Sequence, residues 1–148
     1  MKKTIFSLLL VVATLFIFGC GTNGDKYGKG KNLILTFSTN PSTGFDWEYN
    51  FDGDAEITFD REDYKSDVSG DLVGTGGMRT YYFIASKEGT TKLTFTYRRP
   101  WEGGEIAYDV VYDLKVDSDL NISCTNKHKG VVESDKELDF FPDPVFEN

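Results

Sequence analysis

Apolar and polar residues alternate with a period of two over much of this chain. That spacing puts one face of a β-strand against a core and leaves the other in water. Leu33, Leu35 and Phe37 alternate with Ile34 and Thr36, and Phe45, Trp47, Tyr49 and Phe51 alternate with Asp46, Glu48 and Asn50. Ile57 and Phe59 mark a shorter strand. Residues 79–86 are rich in Tyr and Phe, and Leu93, Phe95 and Tyr97 share a face across 92–98. Ile106, Tyr108, Val110, Tyr112, Leu114 and Val116 alternate over one long strand. Turns are expected at residues 87–90 and at Gly103-Gly104. Residues 60–77 are polar and glycine-containing and read as a long loop with at most one helical turn. Six or seven short strands, Gly-rich turns and no sustained helical stripe after the N-terminus predict an all-β sandwich of about seven strands.

The first residues follow a different pattern. Lys2 and Lys3 precede an almost unbroken apolar run over 4–18. The run is a targeting signal, shorter than the roughly 20 residues of a membrane-spanning helix. It ends in Ile17-Phe18-Gly19-Cys20, which is similar to a bacterial lipobox, with Phe18 a departure from the ideal residue. Cleavage after Gly19 would make Cys20 the lipidated N-terminus; an ordinary signal peptide or an uncleaved anchor are the alternatives. Each buried CH₂ of an acyl chain is worth about 0.8 kcal/mol, and several chains on one Cys give a stable tether. The expected organisation is a lipoprotein signal peptide over 1–19, then lipidated Cys20 and a flexible linker to residue 31. A binding domain follows over 32–118, and a polar tail, disordered or loosely docked, over 119–148. The expected location is extracytoplasmic, lipid-anchored to a bacterial membrane.

Composition narrows the partners. Aromatic residues are 15% of the chain, which suits strands. The formal net charge is −8, without the basic footprint that nucleic-acid binding needs. With Cys20 lipidated, Cys124 has no partner for a disulfide, so the domain must stand on its hydrophobic core.

Candidate chemistry is sparse. Cys124 and the single histidine, His128, fall in the polar tail, a poor setting for a rigid nucleophile–base pair. They lack further soft ligands for a metal, and Asp52-Gly53-Asp54 lacks the ligand spacing of a calcium loop. Gly74-Thr75-Gly76-Gly77 is followed by a strand rather than by Lys-Ser/Thr and a helix, so it offers no phosphate cradle. No catalytic residue, metal or cofactor is expected, and the chain is not expected to be an enzyme.

Three loop signatures stand between the strands: Asn40-Pro41-Ser42-Thr43-Gly44, then Gly74-Thr75-Gly76-Gly77, then Arg99-Pro100-Trp101. Each alone is turn chemistry. Pro41 fixes φ, Gly44 permits a positive φ, and Asn40 can brace the turn from its side chain. Bare glycines let another chain approach the backbone. Trp and Arg are the residues most enriched in binding hot spots, the alternative being that Trp101 only packs on the end of the sandwich.

Together and in this order, the three signatures resemble those of the chagasin-like inhibitors of papain-family cysteine proteases. That family carries Asn-Pro-Thr-Thr-Gly, Gly-x-Gly-Gly and Arg-Pro-Trp loops. Ser42 stands here where Thr is usual, and Phe45 where Tyr is common. Trp47 also fits and is expected in the core. The resemblance covers roughly residues 33–116. It implies an immunoglobulin-like sandwich whose three loops enter a protease cleft as a wedge, with Thr43 nearest the catalytic pair. The Gly-rich loop would lie along the cleft by its backbone, and Trp101 would anchor the opposite side. Inhibition would be reversible and non-covalent, by a monomeric chain. The alternative is an Ig-like adhesion or assembly module, since such folds host many functions.

Overall fold

In the computed structural model, residues 26–67, 76–130 and 141–148 are described, and they fold into two packed antiparallel sheets. The strands are β1 (Lys29–Gly30), β2 (Asn32–Thr39), β3 (Asp46–Gly53), β4 (Glu56–Ser66), β5 (Gly77–Lys87), β6 (Gly89–Arg98), β7 (Ile106–Val116), β8 (Ile122–Lys129) and β9 (Val145–Glu147). One sheet has the order β1-β8-β7-β6-β3 and the other β4-β5-β2-β9. This is the all-β sandwich expected from the alternating pattern, the immunoglobulin-like form being what the resemblance implies. The regular structure apart from strands, among the described residues, is a single 3-10 turn at Pro41–Thr43.

The core lies between the sheets. Leu33, Leu35, Phe37, Tyr81, Phe83, Leu93, Phe95, Val110, Tyr112 and Leu114 are buried, each on the apolar face its strand's alternation predicts. Aromatic rings dominate: Phe37 lies 4.4 Å from Trp47 and 4.5 Å from Phe95 between ring centroids. Trp47 is buried as expected, and its indole N–H donates to the Ser38 carbonyl at 2.9 Å. Burying the ring without that acceptor would leave the N–H unsatisfied. At β3 the apolar face is only half covered, because β3 is an edge strand. Tyr49, 37% exposed, stacks at 6.2 Å on Phe59 of β4, the edge strand of the other sheet.

Three stretches expected to be irregular are strands. The 60–77 loop gives way to β4 as far as Ser66, paired along β5 with a bulge near Phe59 and Arg61. The linker before residue 32 contains β1, which pairs with β8. The tail after residue 118 contains β8, paired along β7, and β9, paired with β2. Its described residues are part of the fold: Ile122 and Cys124 are fully buried, and the Tyr112 hydroxyl donates to the Pro142 carbonyl at 2.9 Å. Lys127 donates to the Phe141 carbonyl at 3.0 Å and pairs with Asp143, fixing the returning chain against β8. The expected signal peptide and Cys20 lie outside the described residues.

Candidate functional site

Antiparallel pairing decides where the three loop signatures go. In one sheet Thr39 at the end of β2 faces Gly77 at the start of β5, and Gly77 faces Ser66 at the end of β4. In the other, Asp46 at the start of β3 faces Arg98 at the end of β6, and Arg98 faces Ile106 at the start of β7. The β2–β3, β4–β5 and β6–β7 connections therefore leave the same end of the sandwich. The first of them crosses between the sheets and has a neighbour on each side.

The first loop is braced from within. The Asn40 side chain accepts from the Ser42 backbone N–H at 3.2 Å and from the Ser42 hydroxyl at 2.6 Å. Gly44 closes the 3-10 turn with φ +78° and donates its N–H to the Pro41 carbonyl at 3.1 Å. The Thr43 hydroxyl donates to the Asn40 carbonyl at 2.7 Å and accepts from the Phe45 N–H at 3.4 Å. Pro41, Ser42 and Thr43 are exposed at the tip, whereas Phe45 is buried beneath it. Thr43 thus has the exposure expected of a contact residue, but its hydroxyl is engaged inside the loop. Asp46, at the loop's exit, accepts from Arg79 of β5 at 2.8 Å, tying the start of β3 to the opposite sheet.

The third loop is fixed to the first. The Arg99 guanidinium lies over the Phe45 ring at 4.7 Å and over the Trp101 ring at 5.4 Å. Such cation–π contacts contribute about 0.5–1 kcal/mol each at exposed sites. Phe45 in turn stacks on Tyr97 of β6 at 5.3 Å. A side chain at Gly44 would project to within 3.6 Å of the Trp101 ring, so the indole sits directly beside the first loop. Glu105 lies 3.8 Å from the Arg99 Nε. Trp101 remains 51% exposed. It is therefore placed but not buried, unlike a tryptophan that merely plugs the end of a core.

Gly74 and Thr75 of the second signature lie outside the described residues. Gly76 and Gly77 are brought to the site, and packing within the protein already requires Gly77 to be bare and leaves little room at Gly76. A Cβ on Gly77 would come within 2.6 Å of the Lys65 carbonyl and 2.7 Å of the Tyr64 ring. One on Gly76 would come within 3.1 Å of the Thr39 carbonyl. Sequence reading missed Tyr64, Arg79 and Asp46 as parts of this end. Tyr64 fell in a stretch read as loop, and the Arg79–Asp46 pair joins different sheets.

Catalytic chemistry is absent from the described cysteine and histidine for a reason other than mobility. Cys124 and His128 both sit on β8, but the thiol is buried and donates to the Asn126 carbonyl at 3.1 Å, while the imidazole is exposed beside Asp113. Burial pushes the Cys124 thiol up to about 11, the opposite of an activated nucleophile. Among the described residues no group of three or more His, Cys, Asp or Glu side chains could hold a metal.

The family model for the chagasin family peptidase inhibitor I42 matches residues 27–116, more than half of the chain. Amoebiasin-2 of Entamoeba histolytica is 30% identical over 122 residues, spanning 75% of this chain and 98% of its own length. Chagasin of Trypanosoma cruzi is 29% identical over 77 residues, spanning 50% of this chain and 70% of its own. A crystal structure of a cysteine protease inhibitor from Entamoeba histolytica is 27% identical, with a TM-score of 0.49 over 57% of this chain and 78% of that one. Family members are inhibitors of peptidases and not enzymes. The chain belongs to the chagasin family of peptidase inhibitors.

Proposed function

We propose that this protein is a reversible, non-covalent inhibitor of papain-like cysteine proteases, which it blocks by seating one end of the sandwich in the active-site cleft. The observation that carries the reading is the junction of the first and third loops. Arg99 is packed against Phe45 and Trp101, and half of the Trp101 surface stays open to a partner. Such a surface is held in place before binding, which lowers the entropy cost of ordering loops on association. The first loop would plug the cleft near the catalytic pair with exposed Pro41, Ser42 and Thr43. The backbone around Gly74, Thr75, Gly76 and Gly77 would run along the cleft, and Trp101 would anchor its far wall. The inhibitor acts by occlusion, so no bond forms or breaks. An interface of standard size, roughly 1,600 Å² in total, supports nanomolar affinity when its loops are preorganised. In the same proposal Cys20 carries the lipid that tethers a monomeric domain at the outer side of a bacterial membrane.

The test is a titration of residues 21–148 against papain and a cathepsin L-like enzyme. The expected result is full inhibition that reverses on dilution and leaves the inhibitor chain intact. Absence of inhibition at micromolar concentration against both enzymes overturns the reading.

A further inference from the structure

The side of the sandwich that carries the edge strands β3 and β4 is open. Phe59, Glu62 and Tyr64 of β4 stand opposite Phe83, Tyr81 and Arg79 of β5, so their side chains share the face that turns toward the core. The other sheet does not cover them. Every residue of β4 after Ile57 is exposed, with Phe59 at 43% and Tyr64 at 49%. Tyr49 of β3 stacks on Phe59 and meets Tyr81 edge to face at 6.0 Å. The result is a ledge of exposed aromatic rings. One charge is placed on it. The bulge between Phe59 and Arg61 shifts the alternation by one residue, so Glu62 rather than Arg61 joins the core-facing side. Arg61 goes to the outer face, over the Tyr82 ring at 3.7 Å and paired with Asp60. Glu62 has no hydrogen bond or ion pair among the described residues. Burial first and the Glu62 carboxylate second push the Tyr49 phenol above its usual range, which puts the charge beside the ring.

We propose that this ledge extends the protease-binding surface down one flank of the sandwich, and that it takes a lysine or arginine side chain from the wall of the target protease, laid on the Tyr49 and Phe59 rings with its charge at Glu62. The inference rests on the proposed inhibitory role of the loop end. The ledge is continuous with that end, because Tyr64 lies against Gly77 of the second loop signature. Glu62 is four residues from Ser66, where β4 meets the loops, a distance of about 13 Å along a strand. An inhibitor that enters a cleft end first lays its flanks along the walls, which brings this stretch within reach. The chemistry of the ledge selects a cation. An unpaired carboxylate beside exposed ring faces attracts it through the charge and the rings at once. A neutral side chain there would cover Glu62 without pairing it, and an acidic one would be repelled. A second copy of this chain would bring its own Glu62 and a net charge of −8. Attraction of this kind, at the rim of an interface, acts mainly on the association rate and its salt dependence.

The experiment measures inhibition constants and association rates of the full chain in detergent against a panel of papain-like enzymes, at low and high salt. Wild type is compared with Glu62→Gln, Glu62→Lys, Tyr49→Phe, Tyr49→Leu and Glu88→Gln, and thermal melting is recorded for each. Glu88 removes the same charge beyond Lys87, about 20 Å farther along β5 than Tyr81, the partner of Glu62, and thus about two screening lengths away. On the enzymes that wild type inhibits best, Glu62→Gln should raise the inhibition constant at least threefold and Glu62→Lys at least tenfold. Both should flatten the salt dependence of association, while Glu88→Gln stays within twofold of wild type. Tyr49→Phe keeps the ring and should match wild type, whereas Tyr49→Leu should weaken inhibition. The exposed Glu62 variants report on the ledge even if Tyr49→Leu fails to fold. Glu62→Gln and Glu62→Lys indistinguishable from Glu88→Gln overturn the ledge and leave the inhibitory reading standing. Tyr49→Leu equal to Tyr49→Phe, with both folded, overturns the cation on the rings. A wild type that sediments as a dimer, broken by Glu62→Lys, gives the ledge to a second copy and overturns the proposal. A wild type that inhibits none of the panel removes the inhibitory reading and the ledge with it.

Discussion

Gly44 shows how one residue couples local geometry to the site. Its φ of +78° lies in the left-handed region, which costs a residue with a Cβ about 1–2 kcal/mol. The same Cβ would meet the Trp101 ring at 3.6 Å, an ordinary contact, so the strain lies in the backbone of the turn. Gly44→Ala is therefore expected to destabilise the domain by about 1 kcal/mol or more in denaturant unfolding. It should also weaken inhibition, because the strain falls on the turn that shapes the first loop. A second residue-level device is Asp117, which closes the β7–β8 turn. Its carboxylate accepts from the Asn121 side chain at 3.0 Å and the Asn121 N–H at 2.9 Å, then from the Asp119 N–H at 3.0 Å, and lies 3.5 Å from Lys29. The Asn121 bonds are the main reason its pKa falls from 3.8 to about 2. A folded pKa below the unfolded one stabilises the ionised form. The contribution is thus complete above about pH 4 and disappears as the pH falls toward 2. Asp117→Asn should flatten that part of the stability curve, measured by thermal melting across the acid range.

At the scale of elements, the C-terminal strands are where sequence and structure part. β2, β5, β6 and β7 were legible because each puts an unbroken row of large apolar residues into the core. β8 buries only Ile122, Ser123 and Cys124 before turning polar, so its alternation is too short to stand out. β9 has three residues and follows two prolines, and is held by pairing with β2 rather than by its own composition. β4 buries only Ile57 and is otherwise charged or exposed, a common dress for an edge strand that must not pair with another chain. Its charges made it read as loop. The loop signatures were legible as turn chemistry, but the Arg79–Asp46 bridge between the sheets was not, because pairing across sheets leaves no local pattern. The integral C-terminus carries a prediction. A chain ending at residue 130 loses β9 and leaves the Tyr112 hydroxyl without the Pro142 carbonyl. The unpaired hydroxyl alone costs about 1–3 kcal/mol. The truncated chain should show a lower denaturant midpoint, and unchanged stability would contradict the docking of this segment.

For the whole molecule, the sandwich acts as a frame with different uses at its two ends. At one end the β2–β3, β4–β5 and β6–β7 connections gather, and the 3-10 turn, Arg99 and Trp101 form a surface fixed before any partner arrives. At the other end, short turns such as the one capped by Asp54, whose carboxylate accepts from the Thr90 N–H at 2.8 Å, serve the fold. Binding should follow this division. The most direct test is the inhibition constant toward a papain-like protease for wild type, Trp101→Ala and Glu88→Ala, the last an alteration in the β5–β6 turn at the far end. The account predicts that Trp101→Ala weakens inhibition about tenfold or more, equivalent to roughly 1.4 kcal/mol, while Glu88→Ala matches wild type. Wild-type potency in Trp101→Ala would contradict it.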